Sequence, residues 1–226
     1  MASPMHVVPL SRQSPRYPSG LIRHLGDDAP QSIDVVGNPE IPNLASLAFF
    51  CSAKCPGDLI LKTYDLAQAL RDAGVPVIGG FHSPMEKECL RLLLRGKQPV
   101  IICPARSLEG MRLPSEWRKP LAEARLLLLS PFEPKHRRIT APLAAFRNKF
   151  VAALANTVFI AHAATASKTE RFCQDILAWG KTVLTLESPE NANLIHLGAK
   201  PVQPKTPAEH ATLSPNILDK PFKPDV

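Results

Sequence analysis

The stretch NTVFIAHAATASKTERFCQDILAWGKTVLTLE, residues 156–187, decides the fold. Its two ends, residues 156–161 and 182–187, are short runs of the length and character that strands have. The segment between them has the pattern of a helix that ends at Gly180. A strand, a helix and a second strand in this order predict a unit of a parallel sheet.

Strand-like runs and helical patterns alternate along most of the chain. Further strands are predicted at residues 46–51, 75–80, 99–104 and 125–130. The clearest helix start is Ser83, because Pro84 and Glu86 follow it in the positions of a capping box. This alternation predicts an α/β fold of the Rossmann-like, doubly wound type, with a mostly parallel sheet and helices on both faces.

The two ends of the chain differ from its middle in composition. Residues 1–20 are polar and rich in proline, and the last 25 residues hold five prolines. Proline fixes the backbone and removes a hydrogen-bond donor, which favours extended or disordered chain. We therefore expect a flexible N-terminal segment over residues 1–20, one domain over residues 21–202, and a Pro-rich tail over residues 203–226.

The apolar segments and the cysteines indicate a cytoplasmic protein without membrane contact. No apolar run has the length of a signal-peptide core or of a membrane span. The cysteine count is odd and the spacing irregular, which argues against a disulfide framework and against a zinc site. The cysteines are Cys51, Cys55, Cys89, Cys103 and Cys173.

Positive charge is concentrated in one part of the chain. The net charge is +7, yet residues 87–149 alone hold fourteen Lys and Arg residues against five acids. A localised basic excess is what a surface for a polyanion requires, and nucleic acid is the commonest polyanion. Charge alone is equally compatible with a basic soluble enzyme.

Four loops are candidates for a binding site, because ligands of doubly wound sheets lie at the carboxyl ends of the strands. These loops cover residues 52–57, 79–86, 104–109 and 162–169. Their hydroxyls, glycines and cations suit a phosphate, and Phe81 offers a face on which a base could stack. The alternatives are an ordinary turn, a His82 without a role, and a Ser167 that only caps a helix.

The segment RITAPLAAFRNKF, residues 138–150, carries cations and no acid. Such a segment is a further candidate for contact with a negatively charged partner such as a phosphate. The alternative is a helix whose cations only face solvent. The residues that we predict to bind DNA or phosphate are Ser52, Lys54, Gly79, Gly80, Phe81, His82, Ser83, Arg106, Arg138, Arg147, Asn148, Lys149, Ser167, Lys168 and Thr169.

The sequence nominates no catalytic residue, no metal site and no cofactor. No spacing assembles a nucleophile with a base and an orienting acid. The carboxylates of the four loops are too sparse for two-metal phosphoryl chemistry, which disfavours a nuclease. We therefore expect a binding protein.

These motifs resemble those of the DNA-processing protein DprA (Smf) family over roughly residues 16–202. Ser52 takes the place of the serine in the family's Gly-Ser-Arg, and Arg147, Asn148 and Lys149 resemble its Arg-Asn-Arg. The N-terminal positions that match the family in order are Tyr17, Pro18, Leu21, Leu25, Asp28, Ala29, Pro30, Gly37 and Asn38.

The resemblance weakens at the family's Ser-Gly-x-Ala-Arg-Gly-x-Asp loop. Gly80 matches the first glycine of that loop. Ser83, Pro84 and Glu86 stand where the family has its arginine, second glycine and aspartate.

The DprA resemblance implies a Rossmann-like domain that binds single-stranded DNA in a basic pocket. It also implies a homodimer that helps to load RecA during DNA uptake or recombination.

Two other functions remain open. The LOG-type phosphoribohydrolases, which cleave nucleoside monophosphates, have a Pro-Gly-Gly-x-Gly-Thr loop where this chain has AATASKT. Only Thr169 and the following Glu170 match that loop, so such an enzyme or a nucleotide sensor is the second hypothesis. A protein that recruits RecA or another DNA-handling protein is the third, and it is compatible with DNA binding.

Overall fold

A computed structural model describes residues 6–43 and 45–204, which contain nine strands and seven α-helices. The strands are β1 (Val8–Ser11), β2 (Ser32–Gly37), β3 (Leu47–Phe50), β4 (Val77–Gly79), β5 (Val100–Ile102), β6 (Leu126–Ser130), β7 (Thr157–Ile160), β8 (Thr182–Leu186) and β9 (Lys200–Val202). The helices are α1 (Ser19–Leu25), α2 (Gly57–Asp72), α3 (Pro84–Leu93), α4 (Ser115–Ala122), α5 (Ala141–Leu154), α6 (Lys168–Ala178) and α7 (Ala192–Leu197).

All nine strands belong to one sheet, in the order β1-β2-β6-β5-β4-β3-β7-β8-β9. Seven neighbouring strands run parallel, namely β6, β5, β4, β3, β7, β8 and β9. Strand β2 is antiparallel to both of its neighbours, β1 and β6. The predicted fold class, a mostly parallel Rossmann-like sheet with helices on both faces, is confirmed.

Each face of the sheet has its own hydrophobic core. Alternate residues of β3 illustrate this arrangement, because Ala48 and Phe50 belong to one core while Leu47 and Phe49 belong to the other. The first core includes side chains of α1, α5, α6 and α7, and the second includes those of α2, α3 and α4. Since strand residues alternate between faces, apolar residues throughout a strand are the expected pattern for a sheet covered on both sides.

The prediction of a flexible segment over residues 1–20 is wrong for the part that the structure describes. Residues 8–11 pair with β2, and α1 begins at Ser19. Between them Tyr17 is buried, and its hydroxyl donates to the carbonyl oxygen of Pro30 at 2.6 Å. Sheet pairing and this anchor order a segment whose composition suggests disorder, so the domain begins before residue 21.

The predicted Pro-rich tail falls almost entirely outside the described residues, which end at residue 204. Strand β9 lies just before it and was not predicted. Its three residues pair with β8 in parallel, but they include Lys200 and Pro201, so no apolar run marks this strand in the sequence.

The strand order reverses at β3, and this reversal places the candidate site. From β3 the chain winds through β4 and β5 to β6 on one side, and β7, β8 and β9 extend the sheet on the other. Strands β3 and β7 are therefore neighbours whose helices leave in different directions. In doubly wound sheets such a switch point opens a crevice at the carboxyl ends of the two strands.

Candidate nucleic-acid interface

Two of the predicted loops meet at the carboxyl ends of β3 and β7. The backbone N–H of Ser52 donates to the carbonyl oxygen of His162 at 3.0 Å. The hydroxyl of Ser52 also hydrogen-bonds the hydroxyl of Thr169 at 3.2 Å. These bonds connect the loop after β3 with the first turn of α6, so residues that are far apart in the sequence lie at one site.

A cavity of about 430 Å³ opens at this point, between α5 and α6, and we call it the switch-point cavity. Three exposed cations line it, namely Lys149 from α5 and Lys168 and Arg171 from α6. Its acids are Asp175 and the buried Glu86. Cations from two helices at one concave site form an arrangement that suits a phosphate backbone.

Glu86 does not present a free carboxylate to this cavity. One carboxylate oxygen accepts the backbone N–H of Cys51 at 3.0 Å. The other accepts the backbone N–H groups of His82 at 2.7 Å and Ser83 at 3.2 Å. Because these two amides already bond to Glu86, the loop after β4 does not offer them to a phosphate.

Ser83 is the N-cap of α3, as the sequence predicts. Its hydroxyl accepts the backbone N–H of Glu86 at 3.3 Å, which completes the capping box. His82 beside it is exposed, and the structure gives its side chain no hydrogen-bond partner among the described residues. Ser83 therefore supports the loop, and the loop holds Glu86 in place.

Replacing Ser83 by alanine is expected to lower the free energy of unfolding by about 1 kcal/mol, because α3 loses its cap. For a chain of this length that corresponds to a fall in melting temperature of roughly 2–4 °C, which thermal unfolding by circular dichroism resolves. Ser115→Ala is the matched control, since the Ser115 hydroxyl bonds only its exposed neighbour Glu116 and caps no helix. Equal melting temperatures for the two variants would contradict the role of Ser83.

Arg147, predicted as a direct ligand of DNA, is instead buried, with 5% of its surface exposed. Its Nη1 donates to the carbonyl oxygen of Cys103 at 3.0 Å, and its Nε donates to the Oδ1 of Asn148 at 2.8 Å. Burial lowers the pKa of Arg147, while the nearby Glu86 raises it. The guanidinium thus connects α5 to the loop after β5, which is a positioning role.

Gly80 makes room for this guanidinium. A Cβ atom at residue 80 would lie 1.6 Å from the Nη1 of Arg147, a distance that no structure tolerates. The space beside Gly80 is therefore occupied by a side chain of the same protein and not by a ligand.

Phe81 is also buried, and the prediction that it stacks on a base is wrong. Its backbone has a φ of 47°, which is rare for a residue with a side chain, and its surface is 5% exposed. The ring belongs to the core on the α2 and α3 face. Gly79 accommodates this ring, because a Cβ at residue 79 would lie 3.1 Å from two of its atoms.

The N-terminus of α6 contains the remaining predicted residues of the switch-point cavity. Ser167 caps the helix by accepting the backbone N–H of Glu170 at 3.1 Å. The carboxylate of Glu170 accepts the backbone N–H of Ala166 at 2.6 Å. Capping is therefore what the Ser167 hydroxyl does here, whereas Lys168 and Thr169 line the cavity.

Other predicted cations lie outside the switch-point cavity. Arg106 lines a second cavity of about 380 Å³, which we call the Trp117 cavity. Lys54 lines a third, the Tyr64 cavity. Arg138 is exposed near the start of α5, beside Lys135, Arg137 and Thr140. Arg138 therefore lines a different cavity from Lys149.

Three cations that line these cavities were not among the predicted site residues. Lys87 and Arg91 on α3 line both the Trp117 and the Tyr64 cavities, and Arg171 lines the switch-point cavity. Helical spacing could have identified them. Lys87 and Arg91 are four residues apart, and Arg171 follows Lys168 by three, so each pair shares one helix face.

Two features are absent from the part of the chain that the structure describes, a cluster of metal ligands and a membrane-spanning helix. Within residues 6–43 and 45–204, no group of three His, Cys, Asp or Glu side chains is placed to hold a metal ion. No helix in the same ranges combines the length and the apolar character that crossing a membrane requires.

The sequence matches the family of DNA recombination-mediator protein A over residues 9–211. No curated protein sequence matches the chain.

Several solved structures are similar in fold. DNA processing protein A (DprA) from Streptococcus pneumoniae has a TM-score of 0.72 and 20% identity, with 87% of this chain and 71% of that chain covered. DNA processing protein A from Helicobacter pylori, described for its unique single-stranded DNA binding mode, has a TM-score of 0.69 and 18% identity, with 89% and 93% covered. The molybdenum cofactor carrier protein of Chlamydomonas reinhardtii has a TM-score of 0.51 and 12% identity, with 78% and 100% covered.

Proposed function

The chain belongs to the DNA recombination-mediator protein A family, and we propose on that basis that it binds single-stranded DNA at the switch-point cavity. The observation that carries this proposal is the convergence of Lys149, Lys168 and Arg171 on one cavity at the carboxyl edge of the sheet. All three side chains are exposed, so they are free to approach phosphates. The H. pylori relative, described for single-stranded DNA binding, supports the choice of ligand.

We further propose that the function is binding and not catalysis. A general base needs a free carboxylate or imidazole beside the ligand. Glu86, the buried acid of the cavity, is already bonded to three backbone amides. The other acid, Asp175, is an exposed carboxylate, and no described histidine lines the cavity beside it. A cavity of this size also fits a nucleotide, so free adenine produced from AMP would favour the phosphoribohydrolase hypothesis instead.

The family resemblance supports three finer proposals. The first is that the protein passes the bound strand to RecA or to another recombination protein. The second is that it works as a homodimer, and the third is that it acts in the cytoplasm. The described cysteines are all free thiols, which fits a reducing compartment.

Fluorescence anisotropy with a labelled oligonucleotide tests the DNA-binding proposal. We expect log K to fall linearly with log salt, with a slope of about −2 or steeper, because three cations each contribute about −0.7 for a single strand. A duplex of the same sequence is expected to bind more weakly, because bending a stiff duplex into a concave site costs energy that a flexible single strand does not need. Equal affinities for duplex and single strand, or a slope near zero, would contradict the proposal.

A further inference from the structure

The Trp117 cavity lies directly beside the switch-point cavity, at the carboxyl ends of β4 and β5. Consecutive residues of α3 separate the two, because Glu86 lines the switch-point cavity and Lys87 lines the Trp117 cavity. The same holds on α5, where Arg147 lines the Trp117 cavity and Asn148 lines the switch-point cavity. The two cavities are therefore neighbours, and a short oligonucleotide can extend from one into the other.

The walls of the Trp117 cavity are mainly apolar. Leu90 of α3 and Ile102 of β5 are buried in its wall, whereas Trp117 of α4 is partly exposed. A volume of about 380 Å³ with such walls and a few polar groups is typical of a small-molecule site. The indole of Trp117 supplies an aromatic face of the kind on which nucleic-acid bases stack.

Two cations of the Trp117 cavity are available to a phosphate. Lys87 is exposed, and the structure gives its ammonium group no partner among the described residues. Arg106 donates from its Nε to the carbonyl oxygen of Ser107 at 3.2 Å, and its two terminal nitrogens have no partner in the described part of the chain. Arg91 also lines the cavity, but it is paired with Glu88 on the same helix.

We propose that the Trp117 cavity binds a nucleotide unit, with its base against Trp117 and its phosphate at Lys87 and Arg106. The unit belongs to the strand that the switch-point cavity binds, so this inference rests on the proposed function. A nucleotide combines a flat aromatic base with an anion, and the cavity combines an aromatic wall with cations. The acid Glu116, which precedes Trp117 on α4, also lines the cavity, and a carboxylate accepts the amino group of cytosine.

Tryptophan fluorescence tests where the base lies. The chain has two tryptophans, and Trp179 is stacked on His24, so Trp179→Phe leaves Trp117 as the only fluorescent indole. We expect an oligodeoxycytidine to quench the emission of Trp117. An abasic strand with the same number of phosphates is expected to bind, as anisotropy measures, and to leave the emission unchanged. Equal quenching by the two strands, or bound oligodeoxycytidine without quenching, overturns the proposal.

The variant Trp117→Leu separates stacking from packing, because leucine keeps an apolar side chain in the wall. We expect it to bind oligodeoxycytidine roughly five- to 100-fold more weakly, the range for the loss of one base–aromatic stack, and to bind the abasic strand as the wild-type protein does. Trp179→Leu is the matched control and is expected to keep both affinities. If Trp117→Leu weakens the two strands equally, its role is structural and the proposal fails.

The double variant with Lys87→Ala and Arg106→Ala tests the phosphate contacts. We expect the slope of log K against log salt to become shallower by about 1.4, because each contact contributes about 0.7. Arg112→Ala with Arg118→Ala is the control with the same charge change, since both side chains are exposed and lie outside the Trp117 cavity. Equal changes of slope in the two double variants would contradict a phosphate at Lys87 and Arg106.

Equilibrium dialysis with radiolabelled dCMP distinguishes a unit of the strand from a free nucleotide, which has the same chemistry. We expect weak binding of dCMP that an excess of oligodeoxycytidine abolishes. Tight binding of dCMP that the oligonucleotide does not displace would assign the cavity to a free nucleotide and overturn the assignment to the strand. If the protein binds no oligonucleotide, the proposed function fails, while the dialysis still decides whether the Trp117 cavity accepts a nucleotide.

Discussion

Replacing Lys149, Lys168 and Arg171 together by alanine is expected to weaken single-stranded DNA binding roughly 10- to 100-fold near 0.1 M salt. The three side chains line the switch-point cavity from two helices. Each phosphate contact that is lost removes about 0.7 from the slope of log K against log salt, so the slope is expected to become shallower by about 2. Anisotropy titrations of both proteins over a salt series measure the two quantities together.

A control with the same charge change separates the cavity from general electrostatics. Arg95, Lys97 and Lys200 are exposed and lie near the amino ends of β5 and β9, at the opposite edge of the sheet. Their triple alanine variant loses three positive charges, as the cavity variant does, but is expected to keep most of its affinity. Similar losses in the two triple variants would mean that net charge, and not the cavity, drives binding.

The substitution Gly80→Ala is expected to destabilise the fold by about 3 kcal/mol, which is the upper range for overpacking and the lower range for leaving a buried charged group without its partner. The added Cβ would lie 1.6 Å from the Nη1 of Arg147, which must then leave its bond to Cys103. Denaturant unfolding measures the loss. Gly57→Ala is the control, since a Cβ at residue 57 meets nothing within 4 Å.

A double-mutant cycle shows whether the guanidinium causes this loss. Arg147→Ala removes the group that a Cβ at residue 80 would strike, so Gly80→Ala is expected to cost less than about 1 kcal/mol in that background. The coupling energy between the two positions is then about 2 kcal/mol. Additive losses would show that Gly80 is needed for its backbone and that Arg147 does not occupy the space above it.

The sequence predicted the parallel core of the sheet well, because each strand there is followed by a helix with a clear start or end. Ser83 at the start of α3 and Gly180 after α6 are examples. The antiparallel strands β1 and β2 escaped prediction, because the helix between them, α1, has only seven residues and no side-chain cap to mark its start. Their order comes from pairing with each other and with β6, and composition does not show pairing.

The sequence predicted which loops come together, but not which of their side chains are buried. The loops did meet at the carboxyl ends of the strands, and Lys149, Lys168 and Thr169 line one cavity. Arg147 and Phe81 were assigned to DNA, but both are buried. Residue type predicts what a side chain can bind, whereas burial depends on packing between helices and loops that are distant in the sequence.

The role of Glu86 in the loop after β4 is a second case that residue type alone did not reveal. Glu86 stands where the DprA resemblance has an aspartate, and the sequence alone left its effect on the pocket open. In the structure its carboxylate accepts three backbone N–H groups and orders the loop around Cys51 and His82. An acid at this position therefore shapes the cavity wall through hydrogen bonds to the backbone.

Photo-cross-linking with an oligonucleotide that carries photoreactive thymidine analogues tests the central claim most directly, because it reports where the strand lies. Peptide mapping of the cross-linked protein is expected to locate the sites in residues 141–154 and 168–178, the two helices that flank the switch-point cavity. Cross-links confined to the opposite edge of the sheet, around residues 95–100 and Lys200, would contradict the account.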